Sequence, residues 1–154
     1  MPPKTDKSFN LWVLLQQTRD AVYNAREKEL SQYSITQREA AILRAINSLG
    51  KSATPANLAR WVYRRPHTIS GILKRMKRKG FINLTNDPAI RNIIRISLTE
   101  KGREAYKTTL KRKSLHRIFK SVIEDNCDQL ESCLTEIRDR ALKETGDEIH
   151  RPLP

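Results

Sequence analysis

Cysteine is scarce in this sequence: Cys127 and Cys133 are the only two. At about 100° per helical residue, six positions turn the second about 120° away from the first. An intrachain bridge within one helix is therefore not expected. Free thiols in a reducing compartment are. The plain role for both is small apolar packing, and the carboxylates of Asp125 and Asp128 beside Cys127 disfavour a reactive thiolate. Long apolar runs are absent too. No stretch approaches the roughly 20 residues of a spanning helix, and the opening MPPKTDKSFN lacks the apolar core of a signal peptide. The expectation is a cytoplasmic, nucleoid-associated protein without a membrane partner. There is no glycine-rich phosphate loop, no zinc-spaced Cys/His set, no cluster of acids, no internal repeat and no low-complexity tract. His67, His116 and His150 are scattered. These absences predict a protein that is not an enzyme and needs no metal or cofactor.

Apolar residues are few for the length, at 38% against 31% charged over 154 residues. Such a balance suits long helices with a narrow apolar stripe, which finish their burial in a dimer. The most telling absence is local. Between Lys51 and Asn86 there is no Asp or Glu, while Lys51, Arg60, Arg64, Arg65, Lys74, Arg75, Lys77, Arg78 and Lys79 all fall there. The whole chain carries a formal charge of +13. A patch this one-sided repels itself unless a polyanion neutralises it.

What is present arranges that patch. A helix is predicted from about Ser8 to Leu30, with Leu11, Leu15, Thr18, Val22 and Ala25 on one stripe. Thr36 and Glu39 form a capping box that opens a second helix, running to Leu49 and stopped by Gly50. Thr54-Pro55 starts a short third helix to about Tyr63. Arg64-Arg65 makes a turn, and Pro66 opens a fourth helix ending at Gly80. Strands are predicted at 81–84 and 92–98 around an Asn86-Asp87-Pro88 turn. Thr99 caps a fifth helix to about Asn126, with Gly102 an unexpected guest in its first turn. A last helix runs from Cys127 to about Lys143, with Leu130, Leu134, Ile137 and Ala141 at helical spacing.

On a helical wheel, Ile69, Ile72, Leu73 and Met76 share one side of the fourth helix, and His67, Gly71, Lys74 and Arg78 the other, flanked by Thr68, Ser70, Arg75 and Lys77. A helix–turn–helix followed by a hairpin with such a face is built for duplex DNA. His67, Thr68 and Ser70 lie near the helix start, where base edges are within reach; Lys74, Arg75 and Arg78 lie where phosphates are. Gly71 costs about 1 kcal/mol relative to alanine. It is either a tolerated defect or the point where backbone approaches a groove.

Three stretches carry a resemblance to the multiple-antibiotic-resistance regulator (MarR) family of winged-helix transcription factors. They are Thr36-Gln37-Arg38-Glu39, the Leu58-Ala59…Ile69…Leu73…Met76…Gly80-Phe81-Ile82 pattern, and Asp87-Pro88-Ala89-Ile90-Arg91 leading to Leu98-Thr99-Glu100-Lys101-Gly102. The likeness spans about Leu11 to Ala141. It implies a mainly α (α+β) fold: a winged helix-turn-helix lobe at 35–99 with a two-stranded wing, flanked by dimerisation helices at 8–34 and 100–145 and flexible tails at 1–7 and 146–154. The implied function is a homodimeric, sequence-specific transcriptional regulator, usually a repressor of nearby genes, on a palindromic operator. A non-specific architectural or RNA-binding winged-helix protein is the alternative.

By the same resemblance, DNA contacts fall to Arg64, Arg65, His67, Thr68, Ser70, Gly71, Lys74, Arg75 and Arg78 in the turn and fourth helix. Arg91 matches the wing-tip arginine, with Arg95 holding the backbone. Leu11, Leu15, Leu130, Leu134 and Ile137 would dimerise. Trp12, Gln16 and Arg19 form a candidate pocket for a small-molecule effector, although Trp12 on an amphipathic helix also reads as core. Two departures stand out. The Asp-Arg-Arg run common at the wing tip is Ile90-Arg91-Asn92 here, so the acid that would orient the arginine is missing. The reactive first-helix cysteine of oxidation-sensing members is also missing.

Overall fold

Single side chains set most of the helix starts. Asp6, Thr36, Thr54 and Thr99 each accept a hydrogen bond from the backbone amide three residues on, opening α1 (Lys7–Ser31), α2 (Gln37–Leu49), α3 (Pro55–Trp61) and α5 (Glu100–Thr109). At α2 the box is complete, because Glu39 also accepts from the Thr36 amide at 3.0 Å. The computed structural model describes residues 6–147. Of the tails predicted at 1–7 and 146–154, residues 1–5 and 148–154, with His150, lie outside the described residues. Lys7 is already helical and Asp6 caps it, so α1 begins inside the stretch expected to be a tail.

Between α3 and α5 lie α4 (Pro66–Arg78) and an antiparallel hairpin of β1 (Ile82–Asn86) and β2 (Ile94–Leu98). The register pairs Ile82 with Leu98 and Leu84 with Ile96. β1 thus starts after Phe81, which is buried beneath the sheet rather than part of it. One core serves this lobe. Ile42, Leu43, Ile46, Leu58, Ile69, Leu73, Met76, Ile82 and Ile96 pack together, closed by Leu30 from the end of α1 and Ala105 from α5.

Gly102 is explained by that packing. A Cβ there would sit 1.9 Å from the Phe81 carbonyl oxygen. The Thr99 amide donates to the same oxygen at 3.0 Å, so the start of α5 lies directly on the start of the hairpin.

The C-terminal helices differ from expectation. α5 ends at Thr109, not near Asn126, and α6 runs from Lys113 to Thr145. The break carries no glycine or proline. Arg112 adopts a left-handed conformation (φ +46°), and the cost of that is met from elsewhere in the fold, by α1. The expected boundary at Asn126 survives as a kink, φ −141° and ψ 19°, within α6. Both cysteines are exposed free thiols on its second arm, so within one chain neither is a packing residue.

Candidate nucleic-acid interface

α4 is a two-faced helix. Ile69, Ile72, Leu73 and Met76 are buried, and His67, Ser70, Gly71, Lys74, Arg75 and Arg78 are exposed, with Thr68 half-buried. The turn arginines Arg64 and Arg65 are exposed beside them. Among the described residues no carboxylate pairs with Arg64, Arg65, Lys74, Arg75, Lys77, Arg78 or Arg91. Lys79 apart, the cations of the patch seen in sequence pair with no carboxylate among the described residues, although Asp147 lines the same cleft as Arg64 and Arg65. α4 also begins without a side-chain cap. Its positive helix end is left to whatever anion approaches. The Ser70 hydroxyl donates to the Pro66 carbonyl at 3.2 Å, one turn back. A Cβ on Gly71 would meet nothing within 4 Å, so nothing inside the protein requires glycine there.

One cation of the basic run has another task. Lys79 donates to the Glu39 carboxylate at 2.8 Å and to the Ser34 carbonyl at 2.9 Å. Glu39 is 1% exposed and already completes the capping box of α2. This pair pins the end of α4 to the start of α2. It joins residues forty positions apart, and no local sequence signal announces it.

The wing has its own anchor. Asp87 Oδ1 accepts the amides of Ala89 and Ile90, both at 2.8 Å, and Oδ2 accepts Arg95 Nε at 2.5 Å. The Arg95 hydrogen bond, with those two amides, holds the Asp87 carboxyl below its ordinary value. Arg95 also donates to the Lys51 carbonyl at 3.2 Å. Arg95 is thus tied into the wing base, whereas Arg91 is exposed at the tip beside Ile90, itself 50% exposed. Asp87, three residues before Ile90, does not replace the acid missing from the tip: it holds Arg95 and the turn amides, not Arg91. An Asp-Pro turn in which the carboxylate accepts following amides is a recognisable signal, and it identifies Asp87 as the residue that sequence reasoning passed over.

Residues 35–102 match the family model described as a winged helix DNA-binding domain. By structure, the chain is similar to the organohalide-sensing transcriptional regulator RdhR-CbdbA1625 in its 2,4-dichlorophenol-bound form. The TM-score is 0.83 at 27% identity, over 94% of this chain and 89% of that one. It also superposes on a mutant MarR from E. coli complexed with operator DNA, with TM-score 0.79, 18% identity and coverage of 86% and 96%. This is a winged helix protein of the MarR fold. A MarR-family regulator from Rhodococcus sp. RHA1 shares the fold at TM-score 0.76 and 21% identity, over 87% of this chain and 96% of that one. No curated protein matches by sequence.

Outside the winged lobe of this MarR-fold chain, the apolar stripes stay uncovered. Leu11, Leu15, Leu134 and Ile137 are 64%, 40%, 43% and 49% exposed, and Leu130 is half-buried. Around the Asn126 kink the two arms of α6 enclose an open groove of about 640 Å³, lined by Phe119, Ile123, Cys127, Leu130 and Leu134 among others. Trp12, Gln16 and Arg19 are not brought together as a pocket. Trp12 is 52% exposed and stacks near Phe9, while Arg19 pairs with Asp20 and lies over Tyr23. Neither the α6 groove nor any of the other main clefts among the described residues is lined by Trp12, Gln16 or Arg19. A smaller cleft of about 140 Å³ lies instead where α1, α2, α5 and α6 meet, with Arg26, Gln37, Arg44, Tyr106 and Arg112 in its lining and no acid. Among the described residues no cluster of His, Cys, Asp and Glu is arranged to hold a metal, and no helix is long and apolar enough to cross a membrane.

Proposed function

We propose that this chain acts as a homodimeric, sequence-specific transcriptional regulator that represses genes near its own. The observation that carries this reading is the α4 surface: an exposed cationic face that pairs with no carboxylate among the described residues, opposite a fully buried apolar one, followed by a wing with an exposed arginine at its tip. Arg64 and Arg65 with Lys74, Arg75 and Arg78 neutralise phosphates; His67, Thr68 and Ser70 read base edges; Arg91 enters the minor groove, and Arg95 braces the wing. The uncovered stripes of α1 and α6, with Leu11, Leu15, Leu130, Leu134 and Ile137, support a second copy as their cover, since apolar faces this extensive rarely stay in water.

Two copies give two recognition helices and therefore a palindromic operator. The test compares binding to a palindrome from the gene's upstream DNA with binding to random duplex. A ratio of about 10³ or more supports the reading; a ratio near one favours a non-specific architectural or RNA-binding role instead. A reporter downstream of the palindrome, repressed by the protein, tests the direction of control. Release by a small effector belongs to the same reading. The lining of the junction cleft, rich in arginine and free of acid, suits a compact anion, and a regulator 27% identical has been seen with a phenol bound.

A further inference from the structure

α6 begins at the left-handed Arg112 with no side-chain cap of its own. Glu29 of α1 supplies it. Its carboxylate accepts the Lys113 amide at 2.8 Å, the Ser114 amide at 3.1 Å and the Ser114 hydroxyl. Three residues earlier on α1, the guanidinium of Arg26 donates to the carbonyl of Thr109, the last residue of α5, and to Glu29 at 2.9 Å. One carboxylate further along, Glu27 accepts the amide of Gln37, the first residue of α2, at 2.6 Å. One stretch of α1 therefore terminates or opens three other helices: it closes α5, opens α6 and fastens α2.

The groups are not loosely placed. Arg26 is 5% exposed, and the Glu29 side chain 13%. Burial alone would raise the Glu29 carboxyl, but the hydrogen bonds from the Ser114 hydroxyl and amide, Arg26 and the Lys113 amide bring it down to about 2. A surface ion pair between neighbours on one helix would add little. This pair instead sits at the joint between the winged lobe, whose core ends at Ala105, and the long helices beyond it.

We propose that Arg26 and Glu29 are positioning residues that set the angle of each winged lobe against the helical body, and so the half-site separation that the dimer accepts. This rests on the dimeric, operator-binding reading above. Neither residue contacts DNA. They act by holding the Thr109–Ser114 break in one geometry, because α6 can start in its observed direction only where Glu29 receives its first amides. Arg26 keeps Glu29 aimed and fixes the end of α5. Loss of the link frees the lobe to swing while its own reading face stays intact.

The experiment uses the full chain and a set of palindromes whose half-sites are moved apart or together by one and two base pairs, plus an isolated half-site. Two base pairs rotate one half-site by roughly a fifth of a turn. The unaltered protein should discriminate against the shifted palindromes by about 100-fold, and Glu29→Gln by less than about tenfold, with half-site affinity within about twofold. A second variant separates linkage from the stability of the helix start. In Glu29→Gln/Arg112→Gly, a glycine relieves the left-handed strain at the start of α6 without restoring the link to α1. Melting stability should recover in the double variant, while relaxed spacing persists.

If Glu29→Gln is folded and dimeric yet keeps the original spacing preference, the inference is overturned. The same holds if Glu29→Gln fails to fold and the folded double variant regains full discrimination. Absence of any operator preference in the unaltered protein is a different result: it removes the underlying reading, and the inference with it.

Discussion

Replacing Gly71 with alanine separates two explanations that look alike in sequence. The residue lies mid-helix on the exposed face of α4, and an added methyl would meet nothing within 4 Å. Free protein should therefore gain helix propensity at no steric cost, about 1 kcal/mol, seen as a rise in melting temperature of about 2–4 °C for a chain of this size. Propensity cancels in binding, because α4 is helical before and after. Any change in affinity on duplex DNA then reports the contact alone. If the backbone at position 71 lies against the groove, the methyl must push it away, and operator affinity should fall at least tenfold, or about 1.4 kcal/mol. Melting curves and fluorescence anisotropy at one fixed salt concentration measure both quantities on one preparation. Affinity within twofold of the original would refute close approach and leave glycine as a tolerated defect. A fall in melting temperature would refute the assignment of position 71 to an open helix face.

Other outcomes follow from the same contacts. Lys74→Ala and Arg78→Ala should weaken binding to all duplexes alike and reduce the logarithmic salt slope by about one unit each; Lys79→Ala, whose ammonium holds Glu39, should leave that slope alone and lower stability by about 1–3 kcal/mol in chemical denaturation. Arg91→Ala should lose most on A·T-rich flanks, and Asp87→Asn should mimic it by loosening the wing while base preference at the α4 contacts stays unchanged; equal losses on G·C-rich flanks would contradict minor-groove insertion. Gly102→Ala forces backbone apart at the Phe81 carbonyl and should cost on the order of 3 kcal/mol, against the gain expected at position 71. The Glu29 carboxyl is lowered from 4.5 to about 2 on folding, so its contribution is complete above about pH 5 and fades as pH falls toward 2. Between those values the urea midpoint of the unaltered protein should fall more steeply than that of Glu29→Gln.

The winged lobe was legible because its signals are local. Thr36 with Glu39, Thr54 with Pro55, Pro66 and Thr99 each mark a helix start within four residues. The apolar spacing of Ile69, Ile72, Leu73 and Met76 fixed which side of α4 faces out. Illegible features depend on partners far along the chain. The break at Leu110–Arg112 has no breaker residue and exists because α1 supplies Glu29 and Arg26 eighty-odd positions away. Lys79 looked like one more exposed cation until α2 placed Glu39 beneath it. The apolar stripe of α1 was visible, and its exposure in a single chain agrees with the lean composition, which left such stripes to be covered by something outside the lobe.

The contact of Gly102 with the Phe81 carbonyl has a mechanical meaning. Hairpin, recognition helix and the first turn of α5 meet there with no slack, so they travel together as one lever. Any motion of the lobe against α6 has to be taken up past Thr109, where three residues form the pivot. Whatever alters the pivot changes where this lever points without rewriting the surface it carries.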